Sequence, residues 1–244
     1  MNDRESLALE ADTVFDLTPK GRPLHGAAPD HVTAPRFRIA GCPAGTVYRI
    51  RHDVHEKTAR ALAQVAGTEP PFPEPWAAPV HLDAYRRLLA IEAPVERIDE
   101  GIVWVFPEHL TFEHPARLVA SGTPDGDRLL ARLAECGMPQ PLAAAGFKDV
   151  GELWAPWCLA LAGDEIAALA FTVGLRPASA EVGVYTLAPY RGRGLATAAT
   201  AGWSRLPALR GKTLFYATSR ENVSSQRVVA RLGLRFLGTS VALT

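Results

Sequence analysis

The stretch EVGVYTLAPYRGRGLATAATAGW, Glu181 to Trp203, constrains this chain more than any other. Its alternating first part predicts a strand from Glu181 to Leu187. Its alanine-rich second part predicts a helix ending near Ser204, and a glycine-rich loop, Tyr190 to Gly194, joins the two. The chain must therefore turn sharply from a strand into a helix. Gly192 and Gly194 lack Cβ atoms, so a ligand can approach the backbone closely. The first amides of the helix have no internal partner, and with the helix dipole they favour a phosphate. A P-loop would continue with Gly-Lys-Ser/Thr, but Leu195-Ala196 follow here. A dinucleotide fingerprint would place a small residue three after Gly194 and an acid about 20 residues on. Thr197 holds the first of those places, and no acid precedes Glu221.

The flanking sequence supplies the context. Trp157 to Leu161 and Ile166 to Leu175 read as strands joined by a tight turn, Ala162 to Glu165, and so as an antiparallel hairpin. Thr213 to Thr218 is a predicted strand, Asn222 to Leu232 a helix capped by Gly233, and Leu234 to Ala242 a last strand. Upstream, Asp127 to Cys136 is amphipathic, Ile102 to Phe106 is a strand, and a helix spans about His81 to Ile91. Prolines in Thr68 to Pro79 forbid regular structure there. Asp53 and Glu56 read as a capping box for a helix to about Val65, after a strand from Val47 to Arg51. Residues 1–35 mix charges with Pro and Gly and read as a poorly ordered arm. The expected division is thus the arm, an α/β region over 36–111, and the segment 112–244.

Composition removes several classes of function. The 244 residues carry 26 basic and 26 acidic side chains, so nothing in the overall charge points to nucleic acid or an anionic membrane. No apolar run approaches the roughly 20 residues of a membrane helix, and the first residues do not read as a signal peptide. The three cysteines, Cys42, Cys136 and Cys158, are far apart and form no CxxC pair. His52 to Glu56 contains two histidines but not the His-Glu-x-x-His pattern, and capping explains its acids. No metal is therefore expected, and the chain reads as reduced and cytoplasmic. Trp154 and Trp157 read as core or interface aromatics.

The segment Arg191-Gly192-Arg193-Gly194-Leu195-Ala196 matches the pattern Gln/Arg-x-x-Gly-x-Gly/Ala. It resembles the pyrophosphate loop of the GNAT superfamily of acetyl-coenzyme-A-dependent N-acetyltransferases. The order hairpin, strand, loop, helix, strand, helix, strand resembles that superfamily too, over about Glu152 to Thr244. So does Asn222 at the start of the following helix, with Ser225 one turn on. The resemblance implies an α/β fold with a mixed, mainly antiparallel sheet flanked by helices. It implies acetyl-CoA as cosubstrate, held by Arg191 to Ala196 with Asn222 and Ser225, and by the backbone of Thr186, Leu187 and Ala188 beside the pantetheine. Independently, Tyr190 to Arg231 holds eight basic residues (Arg191, Arg193, Arg205, Arg210, Lys212, Arg220, Arg227, Arg231) against one acid, Glu221. A basic patch can also bind RNA, but no interleaved aromatic platform accompanies this one.

Acyl transfer to an amine needs a neutral amine, a polarised thioester and a route for the leaving thiolate. No Gly-x-Ser-x-Gly elbow or activated cysteine offers an acyl-enzyme, so direct attack is expected. Glu181 lies ten residues before Arg191, on the strand where several members of the superfamily carry a carboxylate base, and is the candidate here. It shares a strand face with Gly183 and Tyr185; Gly183 would leave room for a substrate that Tyr185 could orient. All seven histidines lie at or before His114, so the motif-bearing half supplies none. The superfamily's usual acid, a tyrosine seven residues after the asparagine, is Val229 here, which leaves Tyr185, Ser224, Ser225 or water. The acceptor is an amine of a small molecule or a protein. Residues 36–111 read as an acceptor-site element or a homodimer contact. The alternative is a non-catalytic acyl-CoA sensor or interaction module.

Overall fold

The first residues do not trail loose. Asn2 caps a helix, α1 (Asp3–Val14), through a capping box: its Oδ1 accepts from Glu5 N at 2.9 Å, and its own N donates to Glu5 Oε2 at 2.8 Å. A two-stranded hairpin follows, β1 (Phe15–Leu17) and β2 (Pro23–Gly26). Then come β3 (Phe37–Cys42), β4 (Gly45–Ile50), α2 (Glu56–Ala66), α3 (Leu82–Ala90) and β5 (Ile98–Val105). Next are β6 (Arg117–Ala120), α4 (Pro124–Cys136), α5 (Gln140–Ala144), β7 (Cys158–Ala162), β8 (Glu165–Leu175) and β9 (Ser179–Thr186). The chain ends with α6 (Leu195–Ser204), β10 (Thr213–Ser219), α7 (Val223–Leu232) and β11 (Arg235–Leu243). The computed structural model describes residues 1–244, and no helix in it is long and apolar enough to cross a membrane.

Nine strands form one sheet in the order β4-β3-β11-β5-β10-β9-β8-β7-β6. Every neighbouring pair is antiparallel except β9–β10, which is parallel over only three residue pairs, Ser179–Thr213, Ala180–Leu214 and Glu181–Phe215. Alternation along the strands builds a core on each face. One face carries α2 and α3 over Phe37, Ile39, Val241 and Leu243, and α6 and α7 over Ala168, Ala170, Val182 and Tyr216. The other carries α1, whose Leu7 packs with Ala40, Val103, Phe215 and Leu237, and α4 and α5 over Leu159, Leu169 and Leu161. A fold of the expected class, mixed α/β with a mainly antiparallel sheet, is what forms.

Three expectations change. Residues 1–35 are not an arm, because α1 is packed against β3, β4, β8, β9 and β11. The polar character of its buried side, which includes Ser6, Glu10 and Thr13, concealed that side in the sequence. Glu10 makes a bidentate pair with Arg38 at 2.9 and 2.7 Å, and Thr13 Oγ1 lies 2.6 Å from Ser179 Oγ. The division at 111/112 does not appear either, since β5 lies between β10 and β11 in the same sheet. Finally, Asp53 is not the cap of α2: it accepts from Arg51 Nε at 2.7 Å, which lowers its pKa, and His55 Nδ1 caps instead by accepting from Lys57 N.

Leu7 is fully buried. Leu7→Ala is expected to lower the unfolding free energy by about 2–5 kcal/mol in urea titrations, the usual cost of such a core truncation. An unpacked arm would leave the midpoint unchanged.

Candidate active site

The site forms where β9 and β10 part. Beyond Glu181 and Phe215 the two strands no longer pair, while β9 stays bonded to β8 up to Thr186. The edge of β9 facing β10 therefore presents unpaired backbone groups from about Val182 to Thr186. The chain then runs through a short turn, Ala188–Tyr190, into Arg191 to Gly194 and α6. Gly192 and Gly194 have φ of 80° and 77°, a left-handed conformation costing another residue roughly 1–2 kcal/mol. Gly194 is the N-cap of α6 and supplies no side-chain cap, so the first-turn amides stay open. The helix itself is held rigidly. Thr197, Ala198, Ala199, Thr200 and Ala201 are buried, and Gly202 lets it close on β7, where a Cβ would sit 2.6 Å from Cys158 Sγ.

The cleft between the parted strands has a volume of about 500 Å³. It is lined by Tyr185, Thr186, Arg191, Gly192, Gly194, Leu195, Ala196, Asn222 and Ser225, all of them singled out from the sequence. Arg227 and Arg231 also line it, and no carboxylate does. A groove with open helix amides, three arginines and no acid is built for a polyanion. Asn222 caps α7, accepting from Ser225 N at 3.0 Å, so its Oδ1 is already used.

Other expected residues lie elsewhere. Leu187 turns into the core, Ala188 is exposed on the short turn, and Arg193 stacks its guanidinium 5.4 Å from the centre of the Tyr190 ring. Glu181 is the largest departure. It does not line the groove, and it is not a solvated strand start either: it is only 7% exposed and lies beneath α1. Burial raises its pKa well above the ordinary carboxylate value, and the neighbouring Glu10 adds to the shift while Arg38 opposes it. One guanidinium serves two carboxylates, Arg38 is already bidentate to Glu10, and Glu181 Oε2 has no partner. Glu181 is therefore a buried group whose neutral form is favoured, in a cluster reached from α1. Gly183 leaves no room for a substrate, because a Cβ there would meet the Phe171 ring and Val173 at 2.7 Å.

Two useful residues were missed in the sequence. Tyr216, on β10, lines the groove and donates from its hydroxyl to Ser225 Oγ at 3.1 Å. Its burial raises its pKa, so the phenol stays protonated at neutral pH. The signal available was only an aromatic six residues before Asn222, indistinguishable from core. His114 returns to the loop from the far side of the chain: its Nε2 lies 3.1 Å from Arg193 O, beside Gly194. No cysteine lines the groove, and burial under α6 pushes the Cys158 thiol up to about 12.

No family model matches the sequence, and no curated protein matches it. Solved structures do match. A protein from Novosphingobium aromaticivorans assigned to the GNAT acetyltransferase family is 26% identical, over 61% of this chain and 65% of that one, with a TM-score of 0.41. This chain thus spans somewhat under two thirds of that protein. A GNAT-family acetyltransferase from Colwellia psychrerythraea matches at 15% identity over 81% and 75%, TM-score 0.45. A GCN5-related N-acetyltransferase-like protein from Streptococcus suis matches at 14% identity over 86% and 85%, TM-score 0.46.

The buried Glu181 predicts a pH effect on stability. An unfolded carboxyl titrates near 4.5, and the folded one higher, so the native state holds a proton that the unfolded chain releases. The stabilisation present below pH 4.5 is lost as pH rises toward and through the folded pKa. Glu181→Gln keeps the shape and has no proton to lose. Its melting temperature should fall less than that of the wild type between pH 5 and pH 9. Parallel curves would show that Glu181 ionises freely in the native state.

Proposed function

We infer that this chain is a member of the GNAT superfamily and transfers an acetyl group from acetyl-CoA to a primary amine, by direct attack in a ternary complex. The observation that carries this reading is the open amide end of α6 set at the mouth of the β9–β10 divergence, among Arg191, Arg227 and Arg231. The groove residues fit the coenzyme: Gly192 and Gly194 clear the approach, and the amides of Gly192 to Ala196 would bind the pyrophosphate. The unpaired edge of β9 near Val184 to Thr186 offers backbone donors and acceptors to the amide groups of the pantetheine.

The reaction needs little more than placement. The amine nitrogen attacks the thioester carbonyl carbon, the C–S bond breaks, and the sulfur leaves as a thiolate that takes a proton. Tyr216 is the donor in the groove, since burial keeps its hydroxyl protonated and Ser225 orients it. The ammonium proton goes to water, because neither a carboxylate nor an imidazole lines the cleft. Cys158 is a buried, neutral thiol outside the groove and offers no acyl-enzyme. The same lack of a base in the groove favours the second reading, an acyl-CoA-binding module without turnover.

Acetyl-CoA at about 100 times its Kd should stabilise the folded chain by about 2.7 kcal/mol, read as a rise in melting temperature. Gly194→Glu should abolish the rise, because it places a like charge at the amide end and crowds His114 Nε2, 3.2 Å from the new Cβ. An undiminished rise in that variant would reject the loop as the phosphate site. Separately, a thiol-release assay across an amine panel should show turnover that Tyr216→Phe lowers by roughly 10²–10⁴, with the coenzyme-induced shift preserved. A thermal shift with no thiol release from any amine would favour the binding module.

A further inference from the structure

Away from the groove, one group of side chains consists entirely of metal-ligand types. In the hairpin of β1 and β2, Asp16 pairs directly across from His25. The loop after β2 folds back through Gly26 N to Val32 O at 2.7 Å and His31 N to Ala28 O at 2.9 Å, which returns His31 to the same spot. His25 Nδ1 lies 3.4 Å from Asp16 Oδ2 and 3.2 Å from His31 Nδ1, and the ligand atoms of all three residues fall within 4.8 Å of one another. The two imidazole rings meet edge to face, with centroids 4.4 Å apart.

The contacts do not close as hydrogen bonds. His25 Nδ1 also faces Gly26 O at 2.9 Å, so two oxygens and the His31 nitrogen converge on a nitrogen that carries at most one hydrogen, and the three contacts cannot all be hydrogen bonds at once. His31 has φ 47°, in the left-handed region. The spacing has a simpler explanation. Zinc bonds nitrogen and oxygen at about 2.0–2.2 Å in a tetrahedron, which sets ligand atoms roughly 3.3 Å apart. Two of the three separations match that edge. The other oxygen of Asp16 is oriented by Arg176 Nη2 at 2.6 Å, the kind of outer contact that fixes a metal-binding carboxylate.

We propose that Asp16, His25 and His31 form a binding site for a divalent transition-metal ion of the zinc class, distinct from the acetyl-CoA groove. Two imidazoles and one carboxylate suit zinc, cobalt or nickel better than the all-oxygen preference of magnesium or calcium. His31 is exposed, so the fourth position opens to water. The site's place in the fold assigns it a structural role. Arg176 bonds Asp12 O and Phe15 O as well as Asp16, so an ion here would fasten the hairpin and its loop to the end of α1 and the β8–β9 turn. None of these residues lines the groove.

The test uses the full, tag-free chain stripped with a chelator. Cobalt(II) titration should give visible d–d absorption of four-coordinate intensity saturating at one equivalent, and one equivalent of zinc should bleach it. Zinc should also raise the melting temperature. His31→Asn removes the ligand while tolerating the left-handed backbone, and should weaken zinc binding at least about tenfold. His109→Asn, an exposed histidine outside the cluster, should bind like the wild type. If His31→Asn does not fold, Asp16→Asn is read in the same way. No cobalt spectrum in the wild type, or equal zinc affinity in the cluster variants, would overturn the proposal. Neither readout depends on acetyl transfer, so a failed acetyltransferase assay does not bear on it.

Discussion

A parallel pairing that stops after three residue pairs is the constraint on which the rest of the structure depends. Had β9 and β10 stayed paired, the sheet would be continuous and the N-terminus of α6 would face filled space. Their separation does two things at once. It leaves one edge of β9 with unpaired backbone groups that need a partner, and it opens a cleft into which the amides of α6 point. The register shift in β8–β9 between Thr172 and Gly174 falls opposite Val182 and Glu181, where the pairing with β10 stops, and bulges of this kind bend and re-aim a strand. At that bulge Gly174 approaches α1 so closely that a Cβ would lie 2.5 Å from Thr13 O.

The groove is thus tied to the beginning of the chain. The helix α1 covers the start of β9, and Glu10, Arg38 and Glu181 come from a helix and two strands that meet there. A buried cation between two carboxylates balances only one of them, and removing a charge from water costs several kcal/mol unless it is neutralised. Burial and the neighbouring Glu10 accordingly push the Glu181 carboxyl well above the ordinary carboxylate range, toward its neutral form. The position that the superfamily resemblance marks for a base is therefore buried beneath α1, away from the groove that Tyr216 lines.

Integration of the first half follows the same logic. The antiparallel strand β5 is inserted between β10 and β11, so each half of the chain supplies hydrogen-bond partners to the other. Two separately stable units cannot share a sheet in this way, because each would expose unpaired strand edges when alone. The glycine loop that opens the groove is local in sequence, but the sheet that holds the groove open is not.

Much of the site was legible because its chemistry is local. The glycines at 192 and 194, the strand before them, the helix after them and the asparagine cap at 222 all act within a few residues, so their spacing alone specified strand, turn, helix and open amides. The capping box of Asn2 and Glu5 was equally local, but the polar buried side of α1 masked it. What the sequence by itself determined is the glycine turn that opens α6, the hairpin of β7 and β8, and the class of the sheet. Only the tertiary structure decided that Glu181 is buried, that Tyr216 and His114 reach the groove and the loop, and that residues 1–35 are folded. The reason is physical: those outcomes depend on contacts between residues far apart in the chain, 171 apart for Glu10 and Glu181, and no periodicity or spacing encodes such a meeting.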